Sequence, residues 1–300
     1  MSRFPMSVRL IVIGSALCAS VAAARPPLEP QRIALNEQFS RPESAVYDAR
    51  TRSWYVSNVG GTEAGDGYIS QLNDEGEIVS EFFADDLDDP KGLAVSGGRL
   101  YVADVTRIVS LALDQPSTRS VYSAEGAIFF NDVAVDPRRG TVYVSDTLAN
   151  VVYKLEDGSV TTLIEGAALE APNGLWVDHD DLLIATIGPD LDPTTFSTSA
   201  PGRILRYDLR RNVLVPASER FGLLDGLQPL DGRRYLVTDF QVGVYVWSPG
   251  DEPELILSVE DTGLTSTADI GFDRAHRRLL IPDVQGVGVA LYDLSAAYCP

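Results

Sequence analysis

One short phrase is written six times along this chain of 300 residues. It has a proline or apolar residue, a polar anchor, a small residue, an alternating apolar run that often closes on aspartate, and a second strand-like segment. The openings are "PESAVYDARTRSWYVSN", "PKGLAVSGGRLYVAD", "FNDVAVDPRRGTVYVSD", "PNGLWVDHDDLLIAT", "LDGLQPLDGRRYLVTD" and "ADIGFDRAHRRLLIPD". The anchors read as Glu43, Lys91, Asn131, Asn173, Asp225 and Asp269. They recur at intervals of roughly 40–50 residues, the period of a propeller blade. Alternating segments such as 141–145 and 235–238 are separated by the turn clusters "DPRRG", "SGGR", "EDGS" and "LDGRR". No long amphipathic helix pattern interrupts them. A single blade cannot bury both of its faces, so the units must pack radially. The expected fold is all-β, a six-bladed β-propeller of four-stranded blades spanning residues 25–300. Residues 31–39, "QRIALNEQF", are expected to supply the outermost strand of blade six and close the ring. A β-sandwich is the alternative, but it would not explain six similar phrases at this period.

The N-terminus has a different character. Arg3 and Arg9 precede an apolar run from Leu10 to Ala22, and Ala22 and Ala24 suit a small-residue cleavage site. Residues 1–24 therefore read as a secretory signal peptide, which implies a periplasmic or secreted protein. A retained anchor is disfavoured because the run is short for a span, and no later segment is long and apolar enough to cross a bilayer. Leu17 stands before Cys18 where a lipidated cysteine would need a small residue. Cleavage would leave only Cys299, which excludes an intrachain disulfide. The net charge of −19 makes nucleic acid a poor partner and favours a divalent cation or a neutral small molecule.

In a propeller the first strand of each blade lies nearest the axis, so residues that start those strands converge at one mouth of the central tunnel. Glu43, Asn131, Asn173 and Asp225 would bring two carboxylates and two amide oxygens to one cup. Hard cations take oxygen ligands, and Ca²⁺ takes six to eight, which leaves room for water or substrate. Softer metals are disfavoured because no Cys or His is an anchor. The bland alternative is that Asn and Asp at strand starts bond their own backbone in turns, an explanation that fits Glu43 badly.

On these phrases the chain resembles the senescence marker protein (regucalcin)/gluconolactonase group of six-bladed propellers, which is related to paraoxonases and the squid-type phosphotriesterase. The resemblance runs from about Glu43 to Leu294 and rests on Glu43 in "PESAVYD", Asn131 in "FFNDVAVD", Asn173 in "APNGLWVD" and Asp225 in "LLDGLQPLDG". It implies that these four bind a catalytic Ca²⁺, or another divalent cation, and that the substrate is a small molecule of the lactone or ester type. Sugar lactones are the first class to test. It also implies a dual role for Asp225 as ligand and proton acceptor. Asp132 lies where relatives hold a second calcium; pairing within the tunnel is the alternative.

Two anchors depart from the family pattern. Lys91 is a cation at the mouth. It is expected to face Asp225, to pair with Asp269, or to bind an anionic substrate group, and as a catalytic residue it could add positive charge near the oxyanion. Asp269 adds a carboxylate that, with Asp225, could activate water. The paraoxonase-type histidine dyad is missing, and His179 and His276 fall in predicted turns on the other face. No GxSxG elbow occurs after the signal. Asp104, Asp146, Asp239 and Asp283 end second strands, where capping a turn is the ordinary role. The run 84–90, "ADDLDDP", reads as a solvated loop. Phe129, Phe130 and Phe240 could line a pocket or simply pack the core. The loops 58–67 and 187–202 belong to opposite blades and are expected at the anchor mouth, where they could form a specificity rim. A monomeric, calcium-dependent lactone hydrolase is the leading expectation. The rivals are a non-catalytic propeller binding a ligand or protein, and a strictosidine synthase-like use of the fold.

Overall fold

The structure, a computed structural model, describes residues 30–35, 38–286 and 288–295. The signal segment 1–24 and Cys299 lie outside these residues. The described chain forms six antiparallel sheets of four strands. Helix is confined to the single turns Ala167–Leu169 and Val259–Thr262, and no helix among the described residues is long and apolar enough to cross a membrane. Inner strands run Pro42–Asp48, Pro90–Ser96, Phe130–Val135, Pro172–Asp178, Leu224–Asp231 and Gly271–Asp273. Each packs on the next, and the last packs back on the first. In blade six, Pro30–Leu35 pairs with Gly288–Asp293 in the order predicted for ring closure. A propeller sealed this way leaves only short strand edges.

The core explains why the repeat must be sixfold. Its six apolar clusters each join two neighbouring blades. Tyr55 and Ile69 of blade one meet Leu93 and Val102 of blade two; Ala45 and Trp54 of blade one meet Leu280 and Leu291 of blade six. Burying a Leu, Ile or Val side chain contributes on the order of 1.5–3 kcal/mol, and a blade standing alone loses the partners its neighbours supply.

A local irregularity aims the anchors. In blade one Pro42 pairs with Asn58 but Ala45 pairs with Val56, so the inner strand carries an extra residue. The same shift occurs between Pro90 and Leu93, Phe130 and Val133, Pro172 and Leu175, and Leu224 and Leu227. Such a β-bulge breaks the in–out alternation and re-aims side chains. In five blades it falls on the anchor and the residue after it. The anchor is thereby turned to the mouth, and its successor (Ser44, Gly92, Asp132, Gly174 or Gly226) is set deeper.

This register corrects the sixth anchor. Asp48 and Asp273 end inner strands, Asp136 directly follows one, and all three accept the backbone N–H groups of the following turn. Asp273 lies as far past Ala268 as Asp48 lies past Glu43 and Asp136 past Asn131. Ala268, fully buried, is therefore the blade-six anchor. Asp269 is equivalent to Ser44 and Asp132, one position deeper in the tunnel.

Candidate functional site

Glu43, Lys91, Asn131, Asn173 and Asp225 line one cavity of about 530 Å³ at the mouth. Asp269 does not line it. Its carboxylate accepts from Ser44 Oγ at 2.5 Å and from Ile270 N at 2.8 Å. Asp132 is likewise committed below the anchors, accepting from Leu175 N and Val133 N at 2.6 Å each. Glycines make room for both carboxylates. A Cβ on Gly92 would stand 2.3 Å from Asp132 Oδ1, and one on Gly226 would stand 2.7 Å from Asp269 Oδ1.

The amide orientations at the mouth are fixed by their donors. Asn131 Nδ2 donates to Thr147 Oγ1 at 3.0 Å, and Asn173 Nδ2 donates to Leu224 O at 3.2 Å. Asn173 Oδ1 is buried and accepts nothing; Glu43 Oε2 is in the same condition. Asp89 Oδ1, in the same cavity, is a third. A buried acceptor without a partner costs roughly 1–3 kcal/mol, so three in one cavity call for an electropositive occupant. The charges agree. Burial, and then the charge of Asp225, raise the Glu43 carboxyl well above its ordinary range. Burial followed by the charge of Asp269 does the same to Asp225, with Asn173 opposing it. Burial and Asp269 raise Asp132, and burial pushes Asp269 up to about 7. Four carboxylates crowd one tunnel, and a divalent cation would relieve them. The donor set is all oxygen, two carboxylates and two amides, and fits a hard cation such as Ca²⁺.

Lys91 does not pair with Asp225 or Asp269. Its Nζ is 2.6 Å from Asp89 Oδ2, donates to Asp89 O at 3.3 Å, and stands 4.6 Å from the centre of the Phe129 ring. Asp89 comes from the acidic run expected to be a solvated loop. Instead it lines the cavity and neutralises the one anchor that would repel a cation. Of the phenylalanines, Phe129 and Phe240 line the cavity, whereas Phe130 is buried core against Tyr153 at 5.6 Å. Both long loops reach the mouth. The loop 187–203 contributes Ile187, Thr195 and Phe196, and the loop 59–66 contributes Val59.

The strand-end aspartates behave as turn caps. Asp146 accepts from Ile128 N, Phe129 N and Ala149 N; Asp239 accepts from Leu223 N, Gln241 N and Val242 N. Each ties down the loop that leads into an anchor. Asn58 does the same in blade one, accepting from Ser40 N. It ends the second strand of its repeat as Asp104 and Asp146 end theirs, a position the sequence shows but an eye set for aspartate passes over.

Among the described residues, Asp74, Asp273 and His276 also place ligand-type atoms within 4.8 Å of one another, on the face away from the anchors. Those groups are already satisfied. Asp74 binds Arg52 and accepts from Tyr47 Oη at 2.6 Å, and Asp273 Oδ2 is 2.6 Å from His276 Nδ1. It is an ion-pair knot, whereas the mouth has the partnerless oxygens. Both histidines sit in turns between inner and second strands, as expected.

The fold and its axial mouth define a six-bladed propeller with an oxygen-rich central site. The chain matches no protein-family model and no curated protein sequence. Among solved structures it is similar to a putative gluconolactonase, at 19% identity over 89% of this chain and 92% of that one, with a TM-score of 0.66. It is similar as well to a gluconolactonase from Xanthomonas campestris, at 20% identity over 91% and 99% with a TM-score of 0.64. A chain of a nidogen/laminin complex has the same fold, at 17% identity over 77% and 84% with a TM-score of 0.62. At these identities the similarity establishes the fold; function has to be argued from the site.

Proposed function

We propose that this protein is a calcium-dependent hydrolase of lactones or related esters. The observation that carries the reading is the pair of buried, partnerless oxygens, Glu43 Oε2 and Asn173 Oδ1, in one cavity with Asn131 and Asp225. The two gluconolactonase neighbours support it. Glu43, Asn131, Asn173 and Asp225 would hold the ion. Bound there, Ca²⁺ would supply Lewis-acid polarisation of the carbonyl and charge stabilisation for the developing oxyanion.

The chain's own residues do the rest. Asp225 takes the proton of the attacking water as its oxygen bonds the carbonyl carbon. The proton then passes to the ring oxygen as the carbon–oxygen bond breaks, and a hydroxy acid results. Asp269 does not line the cavity, and its charge acts on this step through its neighbours, Asp225 first and Glu43 less. Lys91, oriented by Asp89, offers N–H donors to an anionic oxygen of substrate or product inside the cavity. In this reading Asp225 is the catalytic base, Lys91 is the positive group of the cavity, and Asp269, which does not line the cavity, is a positioning charge behind them.

The test is a lactone panel, including gluconolactone, assayed with Ca²⁺ and with a chelator. Chelator-sensitive turnover of at least one member is expected; none on any member would defeat the hydrolase reading. The second reading, a binding module, is favoured by the nidogen/laminin neighbour. It predicts retained ion binding without turnover. We also propose export to the periplasm or medium with removal of residues 1–24, and a monomeric state. Mass measurement of the exported chain and sedimentation test these; an intact N-terminus or a stable dimer would contradict them.

A further inference from the structure

We infer that the mouth selects lactones or esters bearing an apolar alkyl or aryl substituent over polyhydroxylated ones. This rests on the hydrolase reading and names its substrate class. The floor of the cavity is polar, but its walls are not. Phe129, Phe196 and Phe240 stand around it with Ile187, Val59 and Leu223.

Phe196 is the telling residue. It is 42% exposed on the loop 187–203, and its ring lies 6.2 Å from that of Phe129. Its φ is +54°, a left-handed conformation that bulky residues rarely adopt. The loop holds it there. Asp192 Oδ1 accepts from Thr194 N and Thr195 N, Phe196 N donates to Asp192 O at 2.8 Å, and Asp192 N donates to Ser197 O at 2.9 Å. An exposed aromatic ring, fixed by a strained backbone over an aromatic-walled cavity, gains burial when an apolar group enters between it and Phe129.

A polyol would need paired donors and acceptors on the walls, because hydroxyls left dry and unpaired are costly. The walls are poor in them. Thr195 Oγ1 already bonds Ser197 Oγ, and Arg41, exposed, spends one N–H on Gly61 O. Beyond these, Asp89 Oδ1 is an open acceptor beside Lys91, and Gln241 and Gln285 stand at the exposed rim.

The test uses the full chain with Ca²⁺ and γ-butyrolactone, its butyl-, hexyl- and phenyl-substituted forms, and gluconolactone. The expected kcat/KM rises about fourfold per added methylene, the factor that corresponds to about 0.8 kcal/mol per buried CH₂. Phe196→Ala is expected to reduce the hexyl-to-unsubstituted ratio about tenfold, and Phe196→Leu to keep most of it. A preference for gluconolactone, or a ratio indifferent to Phe196→Ala, overturns the inference while leaving the hydrolase reading intact. Calorimetric binding of the hexyl-substituted γ-lactam to the metal-free chain separates the opposite failure. Tighter binding than the unsubstituted lactam, weakened by Phe196→Ala, upholds the apolar clamp even if no lactone is hydrolysed. Equal binding of the two lactams counts against it.

Discussion

Two rings of residues, the second-strand ends and the inner-strand starts, face this end of the propeller; each carries carboxylates in only some repeats, and those carboxylates have opposite fates. At the ends of the second strands, Asp104, Asp146, Asp239 and Asp283 have their oxygens filled by backbone N–H groups or by Arg107. At the mouth, Glu43 Oε2 accepts nothing, and burial together with neighbouring carboxylates forces the carboxyls of Glu43 and Asp225 towards protonation; burial also raises Asp239, but there three backbone N–H groups oppose it. The first ring spends its charge on the fold. The second is left unsatisfied by the fold, which is how a binding site differs from a structural cap. The difference is local in origin. A straight strand end meets the loop before its own inner strand, whereas a bulged strand start turns its side chain away from any backbone donor.

Substitutions at the two rings should therefore fail in different assays. The largest effect is expected at the mouth. Asp225→Asn should lower kcat/KM by about 10²–10³-fold, the usual loss when one charge-stabilising group is removed. The metal-free chain should be no less stable, because a crowded negative charge has gone. A large loss of stability in urea with little loss of activity would erase the distinction. Asp283→Ala should show the reverse pattern. It would leave Thr265 N, Ser266 N and Gly286 N without their acceptor, at a cost of roughly 3 kcal/mol in denaturant unfolding. Bound Ca²⁺ should shift the unfolding curves of the wild type and of Asp283→Ala alike. Wild-type stability in that variant would show the caps to be ornamental.

The pH dependence sharpens the same contrast. Glu43, Asp132, Asp225 and Asp269 all have folded-state pKa values raised above their unfolded ones, Asp269 to about 7. Folding then takes up protons. The stability this provides is fully present below about pH 4 and is lost as pH rises through about 7. In chelator, the melting temperature should fall across that window; saturating Ca²⁺ should remove most of the fall above pH 7. A metal-free melting temperature that climbs from pH 4 to 7 would contradict the crowding. A smaller effect is expected at Lys91→Met, about a tenfold loss in kcat/KM for substrates or products with an anionic oxygen in the cavity, below the loss for a directly acting group.

Much of this contrast could be read before any coordinates. The repeat length fixed the blade count, and the recurrence of Glu43, Asn131, Asn173 and Asp225 at strand starts brought them to one cavity because topology converts a period into a ring. The closing strand was legible for the same reason: the sixth repeat supplies only three of its strands, and one segment stands before the first anchor to complete it. Blade six was misread because "ADIG" puts a carboxylate where a search for polar anchors stops, one residue after the true position. Only the distance back from Asp273 betrays the slip, and a one-residue shift changes which space a side chain enters. The partner of Lys91 was hidden because an acidic run looks solvated until the fold turns its last member inward. Phe196 gave no signal, since a lone phenylalanine in a proline-rich loop has no period. Its role comes from the loop's three-dimensional path.

The central claim is that four mouth residues hold one divalent cation. Calorimetric titration of the metal-free chain with Ca²⁺ tests it most directly. The account predicts a single site per chain in the wild type, lost in Asn173→Ala and in Asp225→Ala while both variants melt cooperatively. Binding that persists unchanged in both folded variants, or a wild-type chain that takes up no calcium, would contradict it.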